Sequence, residues 1–161
     1  QHTLDSEYYK RIEAVQFTMT HDDGKIISDL EKSDVVIVGI SRTSKTPTSI
    51  YLANKGYKVA NIPIIPNKNL PKELMKISKK TFVVGLICDP NRLLDVRRNR
   101  IQSMNEDRPV NYTNEIEISN EVEKSKKIFR DNQWPMIDVT RKSVEETAAS
   151  IIKILDILRS R

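Results

Sequence analysis

A single cysteine, Cys88, stands in 161 residues, which excludes an internal disulfide framework and fits a reducing compartment. Its apolar setting reads as a small buried hydrophobe rather than a nucleophile. No apolar run approaches the roughly 20 residues that a membrane helix needs, and QHTLDSEYYKRIEAV does not have the basic-then-apolar layout of a signal peptide. A cytosolic protein with no membrane partner is the expectation. Aromatic residues interleaved with basic ones, the signature of a base-stacking surface, are also missing. The net charge of +5 is therefore not read as nucleic-acid binding: basic residues alternate with acids, as in EVEKSKKIFRDN. The densest basic patch, Arg92, Arg97, Arg98 and Arg100, reads as a solvated helix face and is kept as a candidate for phosphate or partner contact. No internal repeat, low-complexity stretch or linker divides the chain.

What is present is a soluble, globular composition, 38% hydrophobic and 30% charged, long enough for one domain, 1–161, with its own core. Apolar spacing predicts a helix over 6–17, followed by a polar turn at 20–25. Strands are predicted at 34–38, 57–62, 81–88 and 136–139. Helices are predicted at 47–55, with Pro47 in the first turn and Gly56 as the stop, and at 70–78, 91–104, 114–131 and 144–158. Leu93, Leu94, Val96 and Ile101 mark the buried face of the 91–104 helix. The last helix opens with Ser143 and Glu146 in capping-box spacing. Strand and helix alternate, so the fold expected is α/β, with a largely parallel sheet flanked by helices and ligands at the carboxyl ends of its strands.

The segment Gly39-Ile40-Ser41-Arg42-Thr43-Ser44-Lys45-Thr46 follows a predicted strand and enters a predicted helix. It fits the phosphate-loop pattern G-x-x-x-x-G-K-[ST], with Ser44 in place of the second glycine. In such a loop the backbone N–H groups and the helix start converge on a phosphate chain. Lys45 would reach the terminal phosphates, Thr46 would ligate Mg²⁺, and Arg42 would add a bidentate donor. HDDG at 21–24 has the residues of a solvated turn, yet two carboxylates beside a histidine also suit proton transfer and metal binding. Asp89, at the end of a strand, is a third acidic candidate.

EYYKRIEAVQFTMTHDDG, GISRTSKTPTSIYLANKGYKVANIPI, GLICDPNRLLDVRRNR and IDVTRKSVEETAASII together resemble the pyruvate, phosphate dikinase and phosphoenolpyruvate synthase regulatory proteins. The likeness covers nearly the whole chain. It implies a P-loop-containing, bifunctional serine/threonine kinase and pyrophosphorylase: ADP phosphorylates a threonine of the partner enzyme, and inorganic phosphate removes that phosphate as pyrophosphate. It also implies that this chain corresponds to the C-terminal catalytic portion of a longer protein whose N-terminal domain is absent, and it leaves a homodimer open. The family pattern places ADP on Gly39 to Thr46 and admits Ser44. By analogy with the phosphocarrier kinase/phosphorylases, Asp22 is expected as the base, with Lys45 and Arg42 holding the transferred group and Thr46, Asp23 and Asp89 toward the metal. Two other readings stay open: a conventional P-loop kinase or ATPase acting on a small molecule, and a non-catalytic nucleotide-binding regulatory module.

Overall fold

The β-branched run VVIVG makes Val35–Gly39 (β1), all five residues buried, because it lies between two neighbouring strands with both faces covered. In this computed structural model, which describes residues 2–24, 28–66, 68–77, 81–104 and 114–160, β1 pairs with Val59–Pro63 (β2) on one side. On its other side it pairs with Phe82–Ile87 (β3), which in turn pairs with Met136–Asp138 (β4). All three pairings are parallel and the order is β2-β1-β3-β4. The α/β expectation holds.

Six helices accompany these strands among the described residues: His2–Thr20 (α1), Lys45–Ala53 (α2), Lys72–Ile77 (α3), Pro90–Met104 (α4), Glu115–Asp131 (α5) and Val144–Arg159 (α6). The chain leaves β1 through α2 to reach β2, then returns through α3 across β1 to β3. Right-handed crossovers therefore put α2 on one face and α3, α4 and α5 on the other. Helices α1 and α6 pack on α2, and α4 packs on α5. The direction of winding reverses between β1 and β3, so the loop that leaves β1 occupies the switch point where open α/β sheets bind ligands.

Local chemistry sets the helix ends. The Asn114 side chain accepts from the N–H groups of Ile116 and Glu117, and the capping box at Ser143 and Glu146 forms in both directions. Helix α1 runs past the predicted 6–17 because its last turn is held by polar groups that apolar spacing cannot reveal. The buried Thr18 side-chain oxygen accepts from the Val59 N–H at 3.1 Å, and the Thr20 hydroxyl donates back to the Gln16 carbonyl. Helix α2 starts at Lys45, two residues earlier than predicted, which leaves Pro47 still in the first turn. Helix α3 is shorter than the predicted 70–78, and Ser78 lies outside the described residues.

The reading of Arg97 as part of a solvated face is corrected. Arg97 is 1% exposed, because it follows Leu93 by one helical turn and so falls on the buried side of α4. Arg92 and Arg98 are exposed, while the side chains of Arg100 and Ile101 lie outside the described residues. Cys88 is buried as expected, and burial pushes its thiol pKa up. Among the described residues no helix is long and apolar enough to cross a membrane.

Phe129 of α5 lies directly on Gly85 of β3, where an added Cβ would meet the ring at 2.5 Å. Gly85→Ala should therefore force the α5 packing apart and cost about 1–3 kcal/mol, the usual range for overpacking a core. Urea unfolding of the two proteins measures it.

Candidate active site

Gly39 closes β1 at a place with no room for a side chain: a Cβ there would sit 2.8 Å from the Thr43 hydroxyl oxygen and 3.1 Å from the Leu86 carbonyl. From this point the chain turns sharply, and three side chains capture its carbonyls. The Thr43 hydroxyl donates to Ile40 O at 2.8 Å, Lys45 Nζ donates to the same oxygen at 2.9 Å, and Arg97 Nη2 donates to Ser41 O at 3.2 Å. Arg42 and Ser44 are left-handed, with φ of 68° and 64°, while Thr43 between them is not. Alternation of this kind is how a nest of N–H groups is built around an anion. The position that usually carries glycine is thus one that needs positive φ, and Ser44 adopts it.

The loop opens on a cleft of about 520 Å³ whose wall includes Asp23, Ser41, Arg42, Ser44, Lys45, Thr46, Pro47, Ile65 and Val96. Lys45 is 6% exposed. Burial lowers its pKa to about 8, Asp23 opposes that shift, and Arg42 adds to it. Its ammonium has a carbonyl partner and, among the described residues, no contacting carboxylate, which equips it to take up an incoming anion.

The HDDG turn folds against β2 as a single 3₁₀ turn, Asp22–Gly24. Asp22 Oδ1 accepts from the Thr46 hydroxyl at 2.9 Å and from the Asn61 side-chain amide. The Asn61 Oδ1 accepts the Asp23 N–H at 2.8 Å. Asp23 is left-handed at φ 55° and is exposed in the cleft wall. His21 turns elsewhere: its buried ring stacks on Phe17 at 3.9 Å, with its nitrogens 2.8 Å from Phe17 O and 2.9 Å from Ser28 O. Asp89 lies exposed beyond β3, its N–H bonded to the Thr140 hydroxyl, and is not part of the cleft wall. The structure thus gathers Arg42, Lys45, Thr46, Asp22 and Asp23 and leaves His21 and Asp89 apart.

Asn61 and Glu121 were not singled out for this site from the sequence, and Arg97 was kept only with its patch as a candidate for phosphate or partner contact. Arg97 makes a two-pronged pair with Glu121 of α5, at 3.2 and 2.9 Å, while it holds Ser41 O. Glu121 follows Ile118 by three positions and so shares its buried stripe, a signal that spacing did contain. Asn61 is a lone amide inside the apolar strand VANIP, which is a signal of its own, since a buried amide needs partners.

A family model described as kinase/pyrophosphorylase matches residues 1–152. This chain belongs to the kinase/pyrophosphorylase family. A relative from Pelagibacter ubique (strain HTCC1062), provisionally named a pyruvate, phosphate dikinase regulatory protein, is 56% identical over 98% of this chain and 57% of its own length. Relatives with the same provisional name from Rhizobium meliloti (strain 1021) and Erythrobacter litoralis (strain HTCC2594) are 50% and 49% identical, over 99% and 96% of this chain and 58% and 55% of theirs. The chain spans a little over half the length of these curated relatives.

If the loop of this kinase/pyrophosphorylase member holds a nucleoside diphosphate, Lys45→Ala should weaken that binding by about 10- to 150-fold, the value of a charge-assisted contact of roughly 1.5–3 kcal/mol. Unchanged affinity by calorimetry would count against the loop as the anion site. The lowered Lys45 pKa also fixes the sign of two pH effects. Between about pH 8 and the unfolded value near 10.4 the unfolded chain binds more protons, so stability from this group rises with pH. Anion affinity should move the other way and fall above about pH 8, as the ammonium loses its charge.

Proposed function

We propose that this chain carries out reversible phosphoryl transfer, in the cytosol, between ADP or inorganic phosphate and a threonine of a partner enzyme. The partner is a pyruvate, phosphate dikinase or the related phosphoenolpyruvate synthase. The observation that supports this best is the meeting of a nest-forming loop, a buried lysine and Thr46 at one cleft, with the Thr46 hydroxyl bonded to Asp22. Membership of the kinase/pyrophosphorylase family supports the reaction pair, and the names of the relatives support the partner.

Gly39 to Thr46 would act as the phosphate-binding loop. The N–H groups from Ser41 to Thr46 would wrap the β-phosphate of ADP, with Lys45 and Arg42 as its cationic partners. Lys45 would exchange the Ile40 carbonyl for a phosphate oxygen, which replaces a neutral acceptor by a charged one. The Thr46 hydroxyl and the Asp22 carboxylate are hard oxygen donors already in contact, so they suit Mg²⁺, which takes one or two protein oxygens together with phosphates and water. Bound there, the metal would offset negative charge on the phosphates.

In the forward direction the threonine oxygen bonds to the β-phosphorus as the bond to AMP breaks, and the hydroxyl proton passes to a carboxylate of the Asp22–Asp23 pair. In the reverse direction a phosphate oxygen bonds to the phosphorus of phosphothreonine. Pyrophosphate forms, and the proton returns to the threonine oxygen. Fixed loop dipoles and cations would stabilise the charge that develops at the same phosphorus position in both directions.

Phosphate should therefore compete with ADP. Incubation of the protein with purified dikinase, ADP and Mg²⁺, read by mass spectrometry of the dikinase, should show one phosphorylated threonine, and added phosphate should inhibit its formation. Phosphorylated partner with phosphate should yield pyrophosphate in equal amount to threonine restored. Transfer from ATP but not ADP, or release of orthophosphate alone, would overturn the proposal.

A further inference from the structure

Asn61 sits fully buried at the centre of β2, opposite Ile37 in the sheet, and an amide in such a place is costly unless each of its groups is bonded. Here they are. Its Nδ2 donates to Asp22 Oδ1 and, at 3.3 Å, to the Ser49 hydroxyl, while its Oδ1 accepts the Asp23 N–H. Its own N–H reaches the His21 carbonyl at 3.3 Å. One side chain therefore grips both members of the aspartate pair, one by its carboxylate and the other by its backbone.

The two aspartates end up facing different things. Asp22 has an oxygen committed to Thr46 and Asn61, and it is absent from the cleft wall. Asp23 is held in a left-handed conformation, φ 55° and ψ 34°, that a non-glycine residue adopts at a cost of about 1–2 kcal/mol. That conformation leaves it exposed in the cleft beside Lys45 and Arg42.

We propose that Asn61 divides the work of the pair: it fixes Asp22 beside Thr46, on the side that would hold the metal, and turns Asp23 into the cleft as the carboxylate that takes the hydroxyl proton. This exchanges the roles that the sequence alone assigned to Asp22 and Asp23, and it rests on the phosphoryl-transfer reading above. The proton moves from the threonine oxygen to the Asp23 carboxylate as that oxygen bonds to phosphorus and the AMP oxygen leaves. In reverse, the Asp23 carboxyl returns it to the departing threonine oxygen as phosphate oxygen bonds to phosphorus. Asn61 touches no reacting atom and is a positioning residue.

The test combines turnover in both directions, ADP affinity by calorimetry with and without Mg²⁺, and thermal midpoints for Asp22→Asn, Asp23→Asn, Asn61→Ala and the Asn61→Ala/Asp23→Asn double variant. Asp23→Asn should lower kcat by about 10²–10⁴-fold in both directions and keep the gain in ADP affinity that Mg²⁺ brings. Asp22→Asn should lose that gain. Asn61→Ala should lower kcat by about 10- to 100-fold, reduce the Mg²⁺ gain in ADP affinity because Asp22 is released, and at saturating Mg²⁺ add almost nothing to the kcat loss of Asp23→Asn, because residues that act through one another are not additive. Wild-type kcat in Asp23→Asn, loss of the Mg²⁺ gain in Asp23→Asn rather than Asp22→Asn, or multiplying effects in the double variant would each overturn the assignment. If Asn61→Ala does not fold, the two aspartate variants decide. Should the wild-type protein transfer no phosphoryl group from ADP, the transfer reading fails instead, while the Mg²⁺-dependent affinities still test the placement of Asp22.

Discussion

Two buried cations hold the loop after β1 by its own carbonyl oxygens, and the rest of the site depends on that grip. Lys45 takes Ile40 O and Arg97 takes Ser41 O. With those oxygens captured, peptide planarity turns the N–H groups that follow them the other way, an arrangement that would suit an anion before any anion arrives. Arg97 is itself desolvated and leans on Glu121, an arrangement whose desolvation cost largely offsets its attraction. Its consequence is geometric rather than energetic: one guanidinium joins α4, α5 and the loop, so the position of the loop is set by the packing of two helices on the sheet.

That packing has its own narrow requirements. Helix α5 approaches β3 closely because Gly85 presents no side chain to Phe129, and β1 can end in a tight turn because Gly39 presents none to Thr43 and Leu86. Lys45, buried at the start of α2, sits in a low-dielectric setting, which would strengthen its attraction for a phosphate and weakens its hold on its own proton. The same burial that prepares the lysine for binding thus limits the pH range over which it is charged.

Much of this was legible in the sequence because it is written in local patterns. Alternating apolar runs and helical stripes located the four strands and six α-helices of the described residues to within four residues, though not the 3₁₀ turn at Leu30–Lys32, and the capping box at Ser143 and Glu146 formed as its spacing indicated. Gly39 through Thr46 could be found because a phosphate-loop pattern is contiguous. Asn61 and Arg97 carry no such pattern. Their roles arise from contacts with residues 12 to 56 positions away, and only the mismatch between a polar residue and an apolar stripe betrays them. His21 illustrates the opposite error of proximity: adjacent to the aspartates in sequence, it spends both ring nitrogens on main-chain carbonyls.

Backbone strain converges on the cleft in a way that packing alone does not require. Of the five non-glycine residues with positive φ among those described, Asp23, Arg42 and Ser44 all line it. Each conformation costs about 1–2 kcal/mol, and each persists only because surrounding bonds determine it, as Asn61 does for Asp23 and the captured carbonyls do for the loop. Relaxing any of the three to an ordinary conformation would rotate its peptide plane, so that an N–H of the nest or the carboxylate beside it would face away from the cleft. The strain is therefore the structural counterpart of a site whose donors and acceptor are aimed in advance at one small volume. Under the proposed transfer, a site so aimed would need little reorganisation whether the phosphoryl group arrived on ADP or on a partner's threonine, which is the condition a reversible transfer at one anion position must meet.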